Sequence, residues 1–176
     1  METTYQLFSS LLDYPTADLG RHAHDCLAAL SSAGSPAAGP LESFCAHLQG
    51  ASQARMEELY TRTFDLQAVC SPYVGYQLFG DSYKRGIFMA RLNEGYRDKG
   101  FSPGTELPDH VGVILRFLAL GTEDEFSRAL LDEGLVPALA KMRQTLGRST
   151  GNPYSEVIGA LCLALGEPER TGVDDA

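Results

Sequence analysis

Tryptophan is absent from all 176 residues, so aromatic contact with a ligand falls to Tyr and Phe. Basic residues are scarce: 14 Lys and Arg stand against 23 Asp and Glu, a formal net charge of −9. A nucleic-acid surface needs cations to neutralise phosphates, which excludes that class of partner. An acidic surface can attract a basic partner such as a cationic peptide, and it also simply aids solubility. No apolar run reaches the roughly 18 residues of a membrane span, so no stable membrane insertion is expected. Met1 to Thr4 has no basic n-region, which argues against a signal peptide. The cysteines at 26, 45, 70 and 162 form no C-x-x-C pair. They read as reduced, mostly buried thiols of a cytoplasmic protein rather than a zinc site. Neither G-x-x-x-x-G-K-[ST] nor G-x-G-x-x-G occurs, so no phosphate loop is present.

What is present is helical periodicity. A chain of this length buries roughly 70% of its unfolded surface, enough for a core without staples. We expect an all-α, single-domain helical bundle over residues 1–165 and a disordered tail over 166–176. Apolar spacing predicts helices over 4–13, 16–32, 41–49 and 51–64. Pro15 stops the first, and the Pro- and Gly-rich stretch 31–40 reads as a loop. Residues 65–80 keep no clean period, yet are aromatic and apolar. Asp81 is the expected N-cap of a helix over 82–99, with Gly100 at its end. Gly86 and Gly95 inside it each cost about 1 kcal/mol relative to Ala, which suggests close approach by a neighbour. A buried central helix is expected over 108–120, then helices over 123–133, 135–147 and 153–165.

The densest chemistry is Glu106-Leu107-Pro108-Asp109-His110, at the mouth of that central helix. Pro108 suits a first helical turn, and Asp109 suits the positive end of the helix dipole. The pair is open to three readings: structural capping, recognition, or acid–base catalysis. Adjacent helical residues point about 100° apart, so Asp109 is poorly placed to orient His110. The catalytic reading, a small hydrolase or nucleotide-binding protein, predicts that Asp109→Ala and His110→Ala abolish turnover. His22 and Cys26 share a helical face, but two ligands do not close a metal site. No metal, cofactor-binding or catalytic residue is assigned. Lys84-Arg85 reads as a solvated basic spot. Tyr73, Tyr76 and Phe79 are either core or the lining of a groove.

Five linked motifs in order carry a family resemblance: Glu58 to Leu66, Cys70 to Tyr73, Gly80 to Gly86, Tyr96 to Gly100, and Glu106 to His110. Leu11 to Pro15 and Asn152 to Tyr154 agree with them. Together they resemble the nitrate reductase molybdenum-cofactor assembly chaperones, the NarJ or delta-subunit group within the TorD/DmsD redox-enzyme maturation family. The resemblance implies an all-α cytoplasmic chaperone, not an enzyme. Such proteins bind the N-terminal segment of a molybdoenzyme catalytic subunit and hold it for molybdenum cofactor insertion. The client it implies is a respiratory nitrate reductase alpha subunit; a dimethyl sulfoxide or selenate-type reductase is the alternative. Carried over by motif, the peptide groove is lined by Tyr73, Tyr76, Pro108, Asp109 and His110. Physical reasoning adds Leu78 beside the rings. It also lets Glu106 and Asp109 meet a client Lys or Arg, with His110 titrating near neutral pH.

Overall fold

The computed structural model describes residues 2–121, 123–149 and 151–166. The expected tail therefore lies, from residue 167 on, outside the described residues. Ten α-helices and one π-helical turn account for the described architecture: α1 (Glu2–Leu12), α2 (Leu19–Ser32), α3 (Ala38–Gln49), α4 (Gln53–Phe64), α5 (Val74–Phe79), α6 (Tyr83–Asp98), α7 (Val111–Leu118), α8 (Glu125–Ala129), the π-turn Leu130–Leu135, α9 (Val136–Gly147) and α10 (Tyr154–Ala164). The fold is all-α. Among the described residues the only β-type pairing is an isolated bridge between Tyr73 and His110.

Local sequence explains most elements. In α2, Leu19, Ala23, Cys26 and Leu30 recur at helical spacing and are the buried face. In α4, Ser52 is the N-cap, and its side chain accepts the Arg55 amide at 3.3 Å. α7 is apolar almost all round, and seven of its eight residues are buried. α10 is similar, with Tyr154, Val157 to Leu163 all inside. Such helices belong in the middle of a bundle. α7 packs on α1, α1 on α2, α2 on α3, and α3 on α10. The chain of contacts continues from α10 to α9, α9 to α5, and α5 to α6. The buried side chains form one continuous cluster from Tyr5 to Leu163.

Several boundaries differ from the expected ones. α3 begins at Ala38, so Pro40 lies in its first turn rather than in a loop. The irregular stretch 65–80 contains the short helix α5. The break expected near Gly134 is absent; α8, the π-turn and α9 run on without interruption. Ser82, not Asp81, occupies the N-cap position of α6. The two helical glycines also part company. A Cβ on Gly95 would collide with the Phe126 ring, whereas one on Gly86 meets nothing within 4 Å. Close approach explains Gly95 alone.

Candidate functional site

The site is assembled from two extended segments and one helix start. Pro72 to Val74 runs antiparallel to Asp109 to Val111. The Val74 amide donates to the Asp109 carbonyl at 2.7 Å, and the Val111 amide to the Pro72 carbonyl at 2.9 Å. These bonds fasten the aromatic segment to the mouth of α7. Tyr73 then lies opposite His110, their rings edge to face at 5.5 Å. The Tyr96 hydroxyl donates to the Pro108 carbonyl at 2.7 Å, tying α6 to the same corner.

The mouth of α7 is sealed. Pro108 is buried, Asp109 is 0% exposed and His110 3%. α7 starts at Val111, so neither Pro108 nor Asp109 lies in its first turn. His110 is the N-cap: its Nδ1 accepts the Gly112 amide at 3.1 Å. An accepting Nδ1 requires an unprotonated nitrogen there, and burial pushes the imidazole pKa below its ordinary value. The expected titration near neutral pH is thereby moved down. Gly112 is held closely too: a Cβ there would come within 2.8 Å of the Asp13 carboxylate. Arg116 grips that carboxylate at 2.8 and 3.0 Å and the Ser9 hydroxyl at 3.1 Å. The start of α7 is thus bolted to α1.

In the free chain Asp109 already holds a cation. The Arg85 Nε donates to Oδ2 at 2.8 Å and Nη2 to Oδ1 at 3.3 Å, a two-pronged contact. The guanidinium lies between two rings, 5.2 Å from the centroid of Tyr73 and 5.9 Å from that of Tyr76. Its hydrogen bonds to Asp109 raise its pKa further above the ordinary arginine value. Gly75 makes room for this contact. A Cβ there would fall 2.7 Å from Asp109 Oδ2 and 3.1 Å from Arg85 Cγ. Lys84-Arg85 is therefore not simply a solvated basic spot. Only Lys84 points to water; the Arg85 side chain is 17% exposed. No motif signalled this pairing, because the partners are 24 residues apart in sequence.

The other expected residues divide by exposure. Tyr73 is half-buried, and its hydroxyl donates to Glu106 Oε1 at 3.2 Å. Burial, then the Glu106 carboxylate, push its pKa up to about 12. Leu78 is half-buried against the core. Tyr76 and Glu106 face solvent. Sequence reasoning overlooked Tyr83, Ile87 and Leu107, all exposed. Tyr83 and Ile87 are an i, i+4 apolar pair at the start of α6, a spacing present in the sequence. Among the described residues, seven of nine strongly exposed large hydrophobics fall between Leu66 and Leu107. Four of them, Tyr76, Phe79, Tyr83 and Ile87, lie on α5 and the start of α6 and give that flank unmet apolar surface. Two open hollows lie elsewhere. One of about 370 Å³ is walled by Arg91, Asp98, Lys99, Asp124 and Phe126. The other, about 500 Å³, surrounds His47, Ser52 and Arg55. None of the seven expected groove residues lines either.

The family model of the nitrate reductase delta subunit matches residues 28–149. The chain belongs to that family. It is 30% identical over 92% of its length to the nitrate reductase-like protein NarX of Mycobacterium tuberculosis, of which it spans only 24%. It is 28% identical to the probable nitrate reductase molybdenum cofactor assembly chaperone NarJ of Bacillus subtilis, covering 99% of this chain and 93% of that one. In fold it matches a putative redox enzyme maturation protein from Archaeoglobus fulgidus, with a TM-score of 0.67, 22% identity, and coverage of 95% and 94%. Among the described residues, no helix is long and apolar enough to cross a membrane.

Proposed function

We propose that this chain is a cytoplasmic assembly chaperone for nitrate reductase. It binds the N-terminal segment of the catalytic subunit and holds it while the molybdenum cofactor is inserted. The cofactor belongs to the client; this chain supplies the docking surface. Relatives named as molybdenum cofactor assembly chaperones support the reading. The observation that carries it is the α5–α6 flank. Tyr76, Phe79, Tyr83 and Ile87 are exposed there, beside the carboxylates of Asp81 and Glu106. Apolar side chains flanked by negative charge suit a client segment that mixes apolar and basic residues. The net charge of −9 speeds encounter with it.

In this reading the seven expected residues have two roles. Tyr76 and Glu106 touch the client. In the free chain Tyr73, Leu78, Pro108, Asp109 and His110 form the floor beneath them. A hydrolytic role has less support, since His110 Nδ1 is occupied by the Gly112 amide and Asp109 by Arg85.

The test is calorimetric titration with a peptide copying the N-terminus of a co-expressed nitrate reductase catalytic subunit. Saturable binding that weakens with added salt and with Tyr76→Ala is expected. Absence of heat, with no change in thermal midpoint at high peptide concentration, overturns the reading. Tighter binding of the leading peptide of a dimethyl sulfoxide or selenate-type reductase reassigns the client.

A further inference from the structure

Arg85 is held in an unusual way for a residue on an exposed helix. Tyr83, Lys84, Gly86 and Ile87 around it all face water, and the first buried residue of α6 is Leu92. Yet the Arg85 guanidinium enters a cradle. Two tyrosine rings form its walls, and a fully buried carboxylate closes its base. Gly75 leaves space where any other residue would press on Asp109. The planar, forked shape of a guanidinium is what such a slot accommodates; an ammonium is a point charge and fills it poorly.

We propose that the Tyr73–Tyr76–Asp109 cradle is a guanidinium-binding seat, filled in the free protein by Arg85 and available to an arginine of the partner by exchange. The identity of the partner rests on the peptide-docking reading above; the seat itself does not. Arg85 has somewhere to go. Its Nη1 lies 4.0 Å from the carboxylate of Asp81, which is 88% exposed on the rim. Rotation about the side chain moves Arg85 from Asp109 to Asp81 without displacing α6. The incoming arginine then takes over the buried carboxylate, so no charge is left unpaired in the interior. Locally the carboxylates of Asp81, Glu106 and Asp109 outnumber the cations Lys84 and Arg85, so one further cation is accommodated. Self-occupancy also gives selectivity. A ligand lacking arginine cannot displace Arg85 and binds only to the apolar rim.

Occupancy by Arg85 lowers apparent affinity in proportion to the fraction of seats left vacant. Two measurements follow, one without peptide. Arg85→Ala empties the seat in the full chain and lowers the thermal midpoint. Millimolar ethylguanidinium restores part of that loss, while ethylammonium at equal ionic strength does not, and neither changes the wild type. Equal rescue by both cations, or rescue by neither, overturns the seat. In the second measurement, peptides with and without their arginine (replaced by citrulline) are titrated into wild type and Arg85→Lys. The lysine variant keeps the charge pair, and hence the fold, but loses the fork. It binds the arginine peptide on the order of tenfold more tightly than wild type, and the citrulline peptide unchanged. Unchanged or weaker binding of the arginine peptide overturns the exchange. If Arg85→Ala fails to fold, recovery of refolding yield by ethylguanidinium over ethylammonium replaces the midpoint as the readout. Selective rescue with no peptide binding at all leaves the seat standing and removes the docking reading.

Discussion

α6 and α7 are neighbours in sequence and opposites in use. Of the sixteen residues of α6 only Leu92 and Tyr96 are buried, whereas α7 exposes only one of its eight to any degree. α7 is held from every side: His110 caps it, Arg116 ties it to Asp13 and Ser9, and Phe117 joins Tyr96, Phe101 and Phe126 in an aromatic cluster. The first half of α6 is held through Arg85, which meets Asp109, Asp81 and the Tyr73 and Tyr76 rings, and through the Phe88–Phe79 ring pair. One helix therefore supports the fold. The other, in its first half, turns Tyr83 and Ile87 to solvent. A surface that keeps exposed tyrosines and aliphatics without structural reason is where a partner is expected.

Substitutions should separate the two helices sharply. The largest loss is expected from Phe117→Ala in α7, about 3–5 kcal/mol of unfolding free energy by chemical denaturation. A loss below about 1 kcal/mol would mean that the aromatic cluster is not the anchor described here. Next comes a contrast inside α6 itself. Gly95→Ala forces a methyl group against Phe126 and should cost about 1–3 kcal/mol. Gly86→Ala meets open space and should gain about 0.5–1 kcal/mol from helix propensity. The same sign at both positions would erase the distinction between the ends of α6.

A smaller effect is expected with pH. Burial holds the His110 pKa below 6.5 in the folded chain. Below pH 6.5 the unfolded chain takes up a proton that the folded chain refuses. Stability is therefore unaffected by this group above 6.5 and is lost as pH falls from 6.5 towards the folded value, by at most about 1.4 kcal/mol per pH unit. His110→Asn keeps a capping oxygen for the Gly112 amide and should flatten that part of the profile. A profile identical to wild type would assign the slope to other groups. The smallest change in stability belongs to Tyr83→Ala, within about 0.5 kcal/mol, because that ring is 84% exposed. The same variant should weaken client-peptide binding. Loss of stability without loss of binding would reverse the roles drawn for this flank.

How legible the molecule was in its sequence follows the same division. The stripe of α2 and the apolar run of α7 depend on residues a few positions apart, and both were readable. The helices over 123–133 and 135–147 are readable from spacing but not as one continuous run, because Gly134 costs helix propensity wherever it sits and only tertiary packing offsets that cost. Here it is buried, with Leu130 Cδ1 3.3 Å from where its Cβ would be. At the site, the motif 106–110 marked the right corner. It did not reveal that Asp109 is paired, that His110 caps, or that Arg85 belongs with them.

By itself, the order of residues determined the helical class, the position of most helices and the family motifs. These are set by short-range spacing, by proline and glycine, and by which side chains avoid water. Only the folded chain decided which charges are sealed and which face outward. Asp109 loses its water because α6 and the Pro72–Val74 segment close over it, and it stays charged-paired because Arg85 arrives with them. Desolvation and ion pairing depend on what the rest of the chain brings to a point in space, and no local pattern records that.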